Sequence, residues 1–418
     1  MCGINGIISK DKNKDKLIKS MNEKILHRGP DAEGIFVEGD VALGQRRLSI
    51  IDLAGGNQPI YNEDKSILIM YNGEVYNYKE LKEELTEYKF ETESDTEVVL
   101  HGYEKWGHDL PKKLRGMFAY AIYDKNKGEI FISRDQFGIK PLYYYHDGDT
   151  ILFGSEIKSF LAYPKFKKVL NKELLGAYLT FSFTPTDETF FKGVYRLPSG
   201  HSMTIDVKKR KIKIDRYFKV EFGNTDKSFD EVVEEIGKAM KDSTDHHLIS
   251  DVEVGSFLSS GVDSSYLVSL AKPDKTYTIG FDLAKYSEID YAKDLTDKLN
   301  IKNISEKISK EEYMNALSEV YYHMDEPTAD GCAIAVYFLS RLASKDVKVV
   351  LSGEGADEFF GGYNSYDDNF YTKLPFFIRK SMASICKILP KNKITRYIIR
   401  RGLPLEESYV SINRTYYD

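Results

Sequence analysis

Cysteine is scarce in this sequence: Cys2, Cys332 and Cys386 are the only three in 418 residues. Three thiols so far apart build no disulfide framework and show no metal-type spacing. They suit a reducing compartment, and the cytoplasm is the expected location. Long apolar runs are missing too, for no stretch approaches the ~18 residues of a membrane span. The opening "MCGINGIISKDKNKDK" places lysines where a signal peptide has its apolar core, so neither a secretory signal nor a lipid anchor on Cys2 is expected. A basic excess is also absent, and the net charge of -6 argues against nucleic acid as a partner. The short run "KKRK" (208–211) lies between "MTIDV" and "IKIDRY" and reads as a hairpin turn. Tryptophan occurs once, whereas 30 Tyr and 23 Phe give an aromatic excess that packing explains better than base stacking.

What is present is a globular composition, 42% apolar and 30% charged, on a chain long enough for two domains. Residues 1–222 are dense in strand and turn signals. "GMFAYAIYD" (116–124) is apolar on both faces, which predicts a central strand between two layers. "KNKG" turns it into "EIFISRD", and "PLYYYHDGDTILFGSE" repeats the strand–turn–strand pattern. "DTEVVLHGYEKW" (95–106) carries Val98, Val99, Gly102 and Tyr103 at helical spacing. An antiparallel, layered α+β domain is expected. The polar tract "EFGNTDKS" (221–228) marks the boundary, with a second domain over 223–418. There a helical stripe of Val232, Ile236, Ala239 or Met240, and Ser243 is followed by short strands at 252–258, 276–282, 303–308 and 347–352 that alternate with helices. That alternation predicts an α/β domain with a parallel sheet and ligand loops at its carboxyl edge.

Two of these strands run into unusual loops. "SFLSSGVDSSYLV" (256–268) is a strand, then Ser259, Ser260, Gly261, Val262, Asp263, Ser264 and Ser265, then a helix. Hydroxyls and free N–H groups at a helix N-terminus suit a phosphate. No lysine stands in the Walker position, so this is not the common P-loop. Asp263 among phosphates calls for a cation, and Mg²⁺ is the expected one. "VVLSGEGADEFFGGY" (349–363) follows the other strand; Asp357 offers a second carboxylate to the metal and Glu354 a proton acceptor. Either loop alone also reads as an ordinary capped βα turn. The first loop resembles the pyrophosphate-binding loop of the ATP pyrophosphatase group, and the pair is similar to the synthetase domain of the asparagine synthetases. The family loop is more usually SGG-x-DS, and Ser260 replaces its first glycine.

Cys2 acquires meaning from its companions, "HRGPD" (27–31), "RRLSIID" (46–52), "YNGEVYN" (71–77) and "SDTE" (94–97). This set in this order resembles the class II glutamine amidotransferases, built on the αββα N-terminal nucleophile hydrolase fold. The resemblance implies that Met1 is removed and that the α-amine of Cys2 serves as general base for its own thiol. It implies that Arg47 holds the α-carboxylate of glutamine, with Leu48, Ser49, Ile50 and Ile51 lining the pocket. Glu74 and Asp95 would receive the α-ammonium group, and Asn72 with the N–H of Gly73 would form the oxyanion hole. "RDQFGIKPLYY" (134–144) fits the same domain and is assigned to its core and interdomain contact.

Together the two halves resemble a glutamine-dependent asparagine synthetase over nearly the whole chain. The implied reaction releases ammonia from glutamine, activates aspartate with ATP and Mg²⁺ as a β-aspartyl adenylate, and yields asparagine, AMP and pyrophosphate. Leu258, Ile279, Ser352 and Gly353 would contact ATP, Glu354 would assist the adenylate, and a homodimer is a family expectation. "MDEPTADG" (324–331) is a candidate lining of the acceptor pocket. The family pattern continues past "NRTYYD" with an "RVPFLD"-like motif, so the synthetase half is expected to be incomplete. Other carboxylate acceptors, a glutaminase-only chain and a non-catalytic scaffold remain as alternatives.

Overall fold

The computed structural model describes residues 1–282, 287–328, 331–362 and 373–404. Its first half is built on two antiparallel six-stranded sheets. One runs, in spatial order, Val194–Arg196, Tyr143–His146, Ile151–Gly154, Gly3–Ile8, Val41–Arg47 and Ala32–Glu38. The other runs Lys211–Arg216, His201–Asp206, Glu129–Arg134, Gly116–Asp124, Ile67–Val75 and Ile60–Tyr61. Side-chain alternation along each strand feeds two layers at once. In "GMFAYAIYD", Ala119 and Ala121 face the other sheet and join Ile4, Ile8, Leu43 and Met70. Phe118, Tyr120 and Ile122 face outward and pack with Val98, Val99 and Tyr103 of the helix Asp95–Trp106. On the first sheet's outer face, Ile7, Ala42 and Leu152 meet Ile18 and Met21 of the helix Lys14–Lys24. The both-sided apolar strand is thus buried between two layers as expected, and the whole is the αββα sandwich that the family resemblance implies.

Local chemistry fixes the ends of the elements that matter. Ser94 caps the helix Asp95–Trp106 by accepting from the Thr96 N–H, and Asp95 and Glu97 sit in its first turn, where the helix dipole favours acids. The basic run 208–211 is a hairpin turn: Asp206 pairs with Lys211, and Arg210 takes the left-handed conformation (φ 52°).

Residues 217–228 contain neither helix nor strand. The helix Phe229–His247 then opens on a reciprocal capping box between Ser228 and Glu231. The sheet beyond it is wholly parallel, in the order Lys302–Ile308, Lys275–Phe281, Val254–Phe257, Val349–Leu351. Tyr277, Ile308, Val320 and Phe338 form its core. The chain steps from the Val254–Phe257 strand to one side, then returns to add Val349–Leu351 on the other. A crevice opens at the carboxyl ends of two strands related in this way. Both candidate loops leave the sheet there.

The two halves meet through buried charge. Lys158 pairs with Glu156 and, at 2.9 Å, with Asp325, which also accepts from the Ile157 N–H at 2.5 Å. Glu326 accepts from Arg196 at 2.8 Å and from the Phe190 N–H at 3.0 Å.

Candidate active sites

Cys2 stands just ahead of the Gly3–Ile8 strand, whose antiparallel register with Val41–Arg47 pairs Gly3 with Arg46. That register brings the thiol to Leu48, whose N–H donates to Sγ at 3.3 Å while its carbonyl lies 3.6 Å away. Arg28 of "HRGPD" donates from Nε to the Cys2 carbonyl at 2.9 Å and from Nη1 to Glu156 at 2.8 Å. Cys2 is therefore held at both backbone and side chain.

Asn72, Gly73 and Glu74 lie on the Ile67–Val75 strand, paired with Gly116–Asp124. Asn72 is buried, and neither of its side-chain amide atoms has a protein partner. Gly73 is required by close approach: a Cβ there would stand 2.5 Å from the Met117 carbonyl oxygen and 2.8 Å from Phe118 Cα. Glu74 is also buried with Oε1 unpartnered. Burial, and then the charge of Asp95, push its carboxyl up to about 8. Asp95 is raised by burial too, although it accepts from the Val75 N–H at 2.9 Å and from Tyr71 Oη at 2.8 Å. Unpaired buried polar atoms are rare in folded proteins. Here three of them cluster on two neighbouring residues of one strand.

Arg47 is buried, and its guanidinium shapes the loop that follows it. Nη2 donates to the carbonyls of Ile51 (3.1 Å) and Asp52 (2.6 Å), and Nη1 to Asn57 Oδ1 (2.9 Å) and the Leu53 carbonyl (3.4 Å). Both Nη groups are thus engaged within the chain and fold residues 48–57 around the guanidinium. Within that loop the Ser49 N–H donates to Asp31 at 2.9 Å, and the Ile50 carbonyl accepts from the Asp251 N–H at 3.0 Å.

Lys140, from a segment read as core and interdomain contact, belongs to this region. It is buried, its Nζ donates to Met1 Sδ at 3.2 Å, and burial with Arg28 lowers it to about 8 against the charges of Cys2 and Glu74. The Met1 amine is likewise buried and held down to about 5 by desolvation. Lys140 lies 138 positions from Cys2 in "RDQFGIKPLYY", and no local pattern in that segment marks it as close to the thiol.

The second site is a cavity of about 400 Å³ at the switch point of the parallel sheet. It is lined by Leu258, Ser259, Gly261, Asp263, Ser264 and Ile279 on one side and by Ser352, Gly353, Glu354 and Asp357 on the other. The two loops touch: a Cβ on Gly353 would lie 3.1 Å from the Ser264 N and 3.2 Å from the Asp263 carbonyl carbon. The serines fold the first loop onto itself, Ser259 Oγ sharing a proton with Ser264 Oγ at 2.8 Å and accepting from the Gly261 N–H at 3.1 Å. The helix Val262–Ala271 starts there, and its first N–H groups have no intrahelical acceptor.

Three residues of the expected cradle do not line the cavity. Ser260 Oγ turns to Glu288 at 2.7 Å, Ser265 Oγ turns back to the Gly261 carbonyl at 2.7 Å, and the side chain of Val262 is exposed. Ser260 also keeps a negative φ, so its substitution for glycine carries no left-handed strain. In "MDEPTADG", the carboxylates of Asp325 and Glu326 serve the domain interface described above; Ala329 and Asp330 lie outside the described residues, as do Tyr363 and the terminal "NRTYYD". Among the described residues no group of three or more His, Cys, Asp or Glu could hold a metal ion. Asp263 and Asp357 contribute two carboxylates to one cavity, and Mg²⁺ beside phosphates commonly takes only one or two.

A layered amidotransferase half joined to a parallel-sheet half with a serine-lined nucleotide crevice defines a glutamine-using, ATP-dependent synthetase as the class. Comparison with known families narrows it. Residues 1–218 match the glutamine amidotransferase domain, and residues 235–403 match asparagine synthase. The chain belongs to the glutamine-hydrolysing asparagine synthetase family. It is 42% identical over 426 aligned residues to asparagine synthetase [glutamine-hydrolyzing] 1 of Bacillus subtilis, covering 98% of this chain and 67% of that protein. It is 38% identical to a putative asparagine synthetase of Methanocaldococcus jannaschii (91% and 79% covered) and 37% identical to one of Mycobacterium bovis (93% and 64%). The chain therefore spans roughly two thirds to four fifths of these relatives' lengths. No helix among the described residues is long and apolar enough to cross a membrane.

Proposed function

We propose that the chain carries out both half-reactions of its family, taking amide nitrogen from glutamine at Cys2 and delivering it to an adenylated aspartate in the second half. The observation that carries this reading is a held N-terminal thiol in a domain with the unpartnered Asn72 side-chain amide and Glu74 Oε1, joined to a second half in which Asp263 and Asp357 line a single cavity.

With Met1 removed, the α-amine of Cys2, ordinarily near ~8, takes the thiol proton as sulfur attacks the glutamine amide carbon. Charge then develops on the amide oxygen, where the Asn72 amide and the Gly73 N–H stabilise it. Protonated by the same amine, ammonia leaves; water then releases glutamate from the thioester. Glu74 and Asp95 hold the substrate's α-ammonium. The reducing conditions that keep Cys2 a thiol are those of the cytoplasm, where this reading places the reaction.

In the second half the loop serines and the first-turn N–H groups of Val262–Ala271 receive the phosphates of ATP, with Leu258 and Ile279 against the base and ribose. A carboxylate is a poor electrophile, so aspartate attacks the α-phosphorus and displaces pyrophosphate. Ammonia then displaces AMP from the β-carbonyl, and Glu354 accepts the proton it sheds. Asp263 and Asp357 would hold Mg²⁺, which neutralises phosphate charge when bound.

Cys2→Ala tests the division of labour. Glutamine hydrolysis should fall to background while asparagine synthesis from added ammonium, ATP and aspartate continues at near the parent rate. Retained hydrolysis, or loss of both activities, contradicts two separable sites.

A further inference from the structure

The loop after Arg47 is fastened from outside its own domain. Asp52 adopts a left-handed conformation (φ 48°), which a β-carbon resists, so neighbours must hold it there. Its carboxylate accepts from the Gly55 N–H at 2.7 Å and from the Glu93 N–H at 3.0 Å, tying the loop to the segment that leads into Asp95. The Asp52 carbonyl accepts from Arg47 at 2.6 Å. Its N–H is satisfied by the second half of the molecule, donating to Asp251 Oδ2 at 2.8 Å, while the Asp251 N–H donates to the Ile50 carbonyl at 3.0 Å. Lys348 adds a second tie, pairing at 2.6 Å with the Asp31 carboxylate that accepts from the Ser49 N–H. Asp251 and Lys348 precede the neighbouring strands Val254–Phe257 and Val349–Leu351, whose opposite ends carry the two nucleotide loops.

We infer that Asp251 is a positioning residue for glutamine: the synthetase half holds the glutamine loop in shape by a reciprocal pair of hydrogen bonds to Ile50 and Asp52. This rests on the reading of residues 47–51 as the glutamine pocket. The contact is partly exposed and touches no reacting atom, so its loss loosens substrate binding and leaves the chemistry intact.

The test compares Asp251→Ala, Asp251→Asn and Cys2→Ala with the parent chain in glutaminase kinetics and in ammonium-dependent synthesis. For Asp251→Ala the KM for glutamine should rise about three- to tenfold, the net scale of one ordinary solvent-exposed hydrogen bond, with kcat and ammonium-dependent synthesis within about twofold of the parent. Asp251→Asn keeps an oxygen acceptor for the Asp52 N–H and should restore KM to within about twofold. An unchanged KM in Asp251→Ala, a fall in both activities together, or no rescue by Asn overturns the inference. Glutamine hydrolysis persisting in Cys2→Ala removes the pocket reading itself; its loss there beside an unchanged KM in Asp251→Ala removes only the positioning role.

Discussion

The Glu74 carboxyl, buried and beside Asp95, is uncharged over most of the neutral range because its folded value is about 8. The sign of the consequence follows from linkage. The unfolded chain releases this proton near the ordinary carboxylate value of ~4.3, the folded chain only near 8, so Glu74 increasingly opposes folding as pH rises between them. Glu74→Gln should therefore raise the thermal midpoint of the ligand-free protein more at pH 8 than at pH 5, and an equal shift at both would contradict the buried acid. Glutamine brings a positive α-ammonium to the same place, which favours the ionised form. The parent's KM for glutamine should fall several-fold from pH 6 to pH 8, and Glu74→Gln should flatten that dependence. Subtracting the two profiles removes the titration of the Cys2 amine, which both proteins share.

Elements were legible wherever a short-range pattern decides them. "GMFAYAIYD" shows its two apolar faces by simple alternation, and it is the strand Gly116–Asp124. The helix Asp95–Trp106 declares itself through Val98, Val99, Gly102 and Tyr103 at helical spacing. Long-range geometry was not legible. The tie from Asp251 to Ile50 and Asp52 joins residues some two hundred positions apart, and no local pattern announces it. The interface role of Asp325 and Glu326 was hidden because their partners Lys158 and Arg196 lie more than a hundred positions away. Within the Ile67–Val75 strand, the approach of the adjacent strand makes Gly73 irreplaceable. Gly73→Ala should cost about 1–3 kcal/mol of stability through forced strand displacement and lower glutaminase kcat by at least about tenfold, while ammonium-dependent synthesis persists below the melting temperature. Unaltered glutaminase kinetics would show that the strand yields without disturbing the oxyanion donors.

The whole molecule is joined by a neutral cluster of buried charge: Arg28 and Lys158 against Glu156 and Asp325, each side chain no more than 9% exposed. Burial opposes ionisation of Glu156, but His27, Arg28 and Lys158 overcome it and hold the carboxyl down at about 2. Removing one partner leaves the others buried and unpaired. Lys158→Met should destabilise the joined molecule by about 3–5 kcal/mol in denaturant unfolding, whereas an unchanged midpoint would mean that the interface is held elsewhere.

Nitrogen transfer between the halves is the central claim, and amide-¹⁵N glutamine tests it most directly. Incubated with the label, aspartate, ATP and Mg²⁺, the protein should form asparagine carrying the label in its side-chain amide, in a one-to-one ratio with glutamate and pyrophosphate. Glutamate accumulating without labelled asparagine would contradict the account.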